Sequence, residues 1–242
     1  VAHRGSFVMR GGTINLTGKS VDTDLPIFGM THPTMSCLMS GGNLNITTNN
    51  NAAIALAIGV DENNATITGG TINITTNGNN STFTSSIALY NLNIKGSGGY
   101  KTSLAQFNGP KNYWGNYTKG AADVEVYPLR VLNNLIIDNS GYLDANSNNV
   151  TIGGNFTIDE NCQYTSGTNT TTFDGNGRTL DFVADGTIND GGLYNLTVEQ
   201  GTSLILHNDV AVRGDFSMRS GSSLVDNGKT LSVAGNVENS GT

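Results

Sequence analysis

A seven-residue phrase occurs three times in the first third of the chain: G-G-T-I-N-L-T at residues 11–17, G-G-N-L-N-I-T at 41–47 and G-G-T-I-N-I-T at 69–75. The copies start 30 and 28 residues apart. Self-similarity at such a period marks an array of stacked supersecondary units. In each phrase a Gly-Gly pair reads as a turn, and the residues after it alternate strictly, as in Ile72, Asn73, Ile74 and Thr75. Alternation of this kind is a strand with one buried and one wet side. A chain that repeats a turn and a short strand winds into a solenoid. The expected fold is therefore all-β, a right-handed parallel β-helix or β-solenoid.

Composition supports this and removes other classes. Charged residues make up only 13% of the chain, and Gly, Asn, Thr and Ser supply the polar surface. Aliphatics recur in short alternating runs, unlike a charge-rich disordered segment. Gly and Asn disfavour helix interiors, and no long stripe of 3.6-residue period is present. The net charge of −7, with Lys and Arg scattered, argues against a nucleic-acid partner, which would call for a basic face. No run of about 18 apolar residues exists to insert in a membrane.

Cys37 and Cys162 lie 125 residues apart. A stacked array puts residues so distant on different rungs, so both read as buried free thiols. His3, His32 and His207 are isolated, and no C-x-x-C or histidine cluster suggests a metal site. No signal peptide is visible, the first residue is Val1, and the chain stops in mid-pattern at N-V-E-N-S-G-T. These features read as an internal or processed piece of a larger protein, since solenoid arrays require capping units.

Two regions are expected, 1–130 with longer rungs and two loop excursions, and 131–242 with rungs of about 20 residues, continuous with the first. In the first region, the Asn-rich stretches between strands suit tight corners, where Asn side chains can stack in ladders from rung to rung. Residues 25–39, with Pro26, Pro33, Phe28, Met30 and Met35, break the pattern and read as a loop on the flank. Residues 100–130 form the second break, holding Tyr100, Phe107, Tyr113, Trp114, Tyr117 and Tyr127. Aromatics here would plug or cover the end of a stack, or stand exposed to stack on sugar rings. Tyr113, Trp114 and Tyr117 are the candidate ligand-binding residues. In the second region N-L-I-I at 134–137 matches N-L-T-V at 195–198, and G-N-F-T-I at 154–158 matches G-D-F-S-M at 214–218. Leu135, Phe156, Leu196 and Phe216 are predicted to be buried. About ten rungs at roughly 4.8 Å each give a rod near 50 Å long.

Two stretches carry resemblances. N-G-P-K-N-Y-W-G-N at 108–116, followed by V-E-V-Y-P at 124–128, resembles a turn near the ends of right-handed parallel β-helices of the pectin-lyase-like type. L-Y-N-L-T-V at 193–198 and the phrases from V-A-V-R-G-D-F-S-M to the final residue resemble repeats of very large surface adhesins of the Bacteroidota, many exported by the type IX system. The second resemblance covers 131–242 well and the first half only in style. It implies an extracellular or cell-surface location and repetitive architecture, and names no ligand.

Chemistry is sparse. Asp22 with Asp24, Asp61 with Glu62, and Asp159 with Glu160 are dispersed and read as turn residues. Asp174-Gly175-Asn176-Gly177 starts like a calcium loop but has Arg178 in fifth place and no distal Glu. No nucleophile elbow, zincin or phosphate-loop motif occurs. Sequons such as Asn15, Asn45 and Asn73 fall inside alternating strands, where Asn and Thr simply face outward, and no glycan is assigned. The expectation is a non-enzymatic structural or adhesive segment, without catalytic residues, metal or cofactor, whose partners are surface glycans or other segments of the same large protein. The alternative is a carbohydrate-binding or carbohydrate-cleaving module using residues 100–130. Ice binding through Thr47, Thr71 and Thr75 is a third reading, weakened by the irregularity of the array.

Overall fold

A computed structural model describes residues 5–18, 25–49, 53–107 and 124–242. It is an all-β parallel solenoid. Three long sheets wrap a single core. The first contains nine strands: Ser6–Gly18, Ser36–Asn49, Ala65–Asn77, Asn91–Gly96, Leu135–Asp138, Phe156–Ile158, Thr179–Ala184, Ser203–Leu206 and Ser223–Val225. The second contains Pro26–Met30, Ala53–Ile58, Ser81–Ser85, Thr102–Leu104, Tyr142–Asp144, Gln163–Thr165 and Thr187–Ile188. The third contains Leu129–Val131, Val150–Ile152, Thr170–Phe173, Asn195–Val198, Phe216–Met218 and Val237–Asn239. Val210–Val212 and Leu231–Val233 form a further pair. Spatial order follows chain order in each sheet, so every circuit adds one rung. Nine rungs along the first sheet give a stack about 40 Å long at the usual strand spacing, close to the expected size.

Alternation explains the core. One inward column of the first sheet runs Ile14, Leu44, Ile72, Leu92, Leu135, Phe156, Phe182, Leu206 in register. All but Ile14, on the first rung, are buried. The rings of Phe156 and Phe182 stack with centroids 5.3 Å apart and 12° between planes, and Tyr164 meets Phe156 edge-on. Leu135, Phe156, Leu196 and Phe216 are all buried, as predicted. Cys37 and Cys162 are buried free thiols on different rungs.

The structure corrects several local readings. The Gly-Gly pairs do not end a strand: Ser6–Gly18, Ser36–Asn49 and Ala65–Asn77 each continue through one. The register shifts there, and Gly12, Gly42 and Gly70 take φ of 76°, 87° and 93°. The phrase is a bulge that bends one strand around two flanks of the solenoid. Glycine is required because a Cβ on Gly41 would lie 2.7 Å from the Arg10 carbonyl oxygen on the rung above. Residues 25–39 are not a loop excursion. Pro26–Met30 pairs with Ala53–Ile58, and 36–39 open the next long strand. Pro is tolerated because this is an edge strand.

Rung length also changes earlier than expected. Ser6 pairs with Ser36 and Cys37 with Ala65, but Thr71 already pairs with Asn91, 20 residues on. The first sheet continues unbroken past residue 130, with Asn91–Gly96 beside Leu135–Asp138. The matched phrases of the second half occupy different sheets. Leu135 and Phe156 are neighbours in the first sheet, Leu196 and Phe216 in the third. The circuit from Thr170 to Asn195 takes 25 residues rather than 20 or 21, which displaces later phrases by one flank. Every flank needs the same in-out alternation, so a strand phrase fits any of them.

Candidate functional site on the solenoid flanks

Tyr113, Trp114 and Tyr117 lie outside the described residues, but the base of their excursion is seen. Phe107 and Val124 form an antiparallel bridge, with N···O distances of 2.9 and 2.8 Å. Both are buried in a small cluster with Ala57, against which Ile54 and Tyr127 also pack. Ala57 belongs to the second sheet but not to the main core, so this cluster sits on the outer side of that sheet. The Thr84 hydroxyl donates to the Glu125 carbonyl at 2.8 Å, a further tie. Phe107 and Tyr127 therefore cover a flank rather than plug an end. The physical reason is a bare patch at Ala57, where a small outward side chain leaves room for aromatic bulk.

A second surface is the outer side of the first sheet in the first four rungs. Asn15, Asn45, Asn73 and Asn93 form a ladder. Asn45 Nδ2 donates to Asn15 Oδ1 at 2.7 Å, Asn73 to Asn45 at 2.8 Å and Asn93 to Asn73 at 2.9 Å. The expected rung-to-rung Asn ladder is thus present, but along strands rather than at corners. Identical registered side chains 4.8 Å apart match the reach of an amide to its neighbour. Columns containing Thr13 and Thr71, and Thr17, Thr47 and Thr75, flank it. In the next rung Ile136 takes the place of Asn and the ladder ends.

A third surface is a notch of about 190 Å³ lined by Ala65, Ile67, Ile87, Ala88 and Leu132, with Arg130 and Glu62 beside it. Glu62 begins the short helix Glu62–Asn64, capped by Asp61, whose Oδ1 accepts from the Asn63 amide at 2.9 Å. Arg130 projects from Leu129–Val131 and its Nη1 pairs with Glu62. The partners of this pair are 68 residues apart, too far for local spacing to announce it.

Several acidic groups pair with cations. Lys95 meets Asp138 at 3.3 Å, Lys101 meets Asp144 at 2.8 Å, and His207 meets Asp181 at 2.9 Å. The Asp144 hydrogen bond and charge hold the Lys101 ammonium above its ordinary pKa. Desolvation raises the Tyr164 phenol, whose hydroxyl lies among Thr171 and Asn169 in the core. Asp159 and Asp174 sit at turns, where the Cys162 amide donates to the Asp159 carbonyl and the Arg178 amide to that of Gly175. His32 lies in a turn with Thr34 close to its Nδ1; His3, Asp22 and Asp24 lie outside the described residues. Among the described residues no group of three His, Cys, Asp or Glu could hold a metal ion, and no helix is long and apolar enough to cross a membrane.

What these flanks define is a parallel β-solenoid with an outer Asn ladder and a buried Phe107–Val124 bridge on one flank. No family model, no curated protein and no solved structure matches the chain.

Proposed function

We propose that this chain is a structural, adhesive segment of a large repetitive extracellular or cell-surface protein, acting as a stiff rod or displayed fibre. The observation that supports it most is continuity. The first sheet passes hydrogen bonds through nine successive strands, and its flanks spend side chains on rung-to-rung ties. Such a stack resists bending because each rung is held by neighbours on three flanks. A lightly charged Asn- and Thr-rich exterior suits contact with surface glycans or with other segments of the same protein. A second reading places sugar binding on Tyr113, Trp114 and Tyr117, favoured by the firm seat of their excursion at Phe107 and Val124.

The test immobilises the intact chain on beads, measures retention on glycan-coated surfaces, and assays the same glycans for new chain ends. Retention with unchanged glycan length is expected. Release of new ends would overturn the structural reading, and absence of retention on every surface would remove the adhesive part. Loss of retention confined to Trp114→Ala and Tyr117→Ala would transfer binding to the excursion.

A further inference from the structure

The fourth and fifth rungs meet differently from the others. Leu92 pairs with Leu135 across 43 residues of chain, whereas neighbouring strands elsewhere pair at separations of 20 to 31. Closing the longer loop costs more chain entropy. Backbone pairing on two flanks is short, as it also is at Gln163–Thr165 with Thr187–Ile188 and at Leu193 with Val212: Thr102 and Ser103 face Leu143 and Asp144, and Leu89 alone faces Val131. Under Leu143 the interior is hydroxylic, with Thr102 buried against Thr76 and Ser81. The Asn ladder stops here, and the notch at Ile67, Ile87 and Leu132 interrupts packing on the third flank.

An ion pair stands on each of the three flanks at this level. Lys95 reaches Asp138 on the first sheet and Lys101 reaches Asp144 on the second. Arg130 reaches past the fourth rung to Glu62. The carboxylates are the more buried partners in the two lysine pairs, with Asp138 and Asp144 side chains 23% and 12% exposed. Asp138 Oδ1 has no hydrogen-bond partner, while Asp144 also accepts from the Ser103 hydroxyl and the Asn146 amide. A partly buried carboxylate is costly to leave without its cation.

We infer that the molecule is two stacks, residues 5–104 and 129–242, meeting at a seam latched by these pairs, and that this seam is the first internal interface to open. When it opens, each stack stays wound. The inference does not depend on what the rod binds.

Amide hydrogen exchange on the intact chain tests it. The Leu89 and Leu92 amides donate to Arg130 and Asn134, and those of Leu132 and Asn133 to Leu89 and Tyr90, all across the seam. They are expected to exchange at least about tenfold faster than amides joining Phe156–Ile158 to Thr179–Ala184. Lys95→Met and Lys101→Met should accelerate the seam amides alone, and Lys101→Asp combined with Asp144→Lys should slow them again. Uniform exchange along the stack, or variants that accelerate every rung equally, would overturn the inference.

Discussion

At the scale of residues, function and stability rest on placement more than on identity. An Asn in an alternating strand is an outward polar group, but only registered neighbours make four of them a ladder. Cys37 shows the inward counterpart. Burial pushes its thiol from an ordinary value of about 9 up to about 11. The fold therefore favours the protonated form. Its stabilisation is complete below the unfolded pKa and is lost as pH rises toward the folded one. Between about pH 9 and 11 the native chain should lose roughly 3 kcal/mol through this group. Chemical denaturation of Cys37→Ala should lack that part of the slope, while Lys101 and Tyr164, both shifted upward, retain theirs.

At the scale of elements, the strands are short and none is stable alone; stacking of inward columns supplies the stability. Phe156 is the most informative position, because it touches Phe182 by stacking and Tyr164 by its edge. Phe156→Ala should cost about 3 to 5 kcal/mol, measured by thermal or urea unfolding. Val237, 61% exposed on the last strand of the third sheet, should change stability by under about 0.5 kcal/mol when made Ala. Alternation made the burial of Phe156 legible in the sequence. It did not reveal that the Gly-Gly phrase bends a strand rather than ending it, because the bulge is defined by the strand beside it. Nor did it reveal the strand at Pro26–Met30, whose proline and lack of alternation hid an edge position.

At the scale of the whole molecule, the rung is the unit of growth. Val198 and Met218 occupy equivalent registered positions on successive rungs. Deleting residues 199–218 should therefore leave a folded rod shorter by about one strand spacing of 4.8 Å. Small-angle scattering and circular dichroism check this: retained strand signal with a smaller radius of gyration is expected, and collapse of the signal would show that rungs are not interchangeable. The candidate aromatic site was legible only as a composition change at residues 100–130. Its seat on the flank depended on Ala57, about 50 residues earlier in the chain than Phe107. The Arg130–Glu62 pair and the two Lys–Asp pairs had no sequence signature at all, since each links residues more than 40 apart.

The sequence by itself determined that this chain is a β-solenoid and which side chains line its core, because a two-residue alternation fixes inside and outside locally. Only the tertiary structure decided which flank each phrase occupies, where the rungs shorten and which charges meet. Those outcomes follow from the number of residues in each circuit. A few extra residues in one turn, as between Thr170 and Asn195, shift every later phrase around the axis without changing its pattern. Periodicity carries the first kind of information and loses the second.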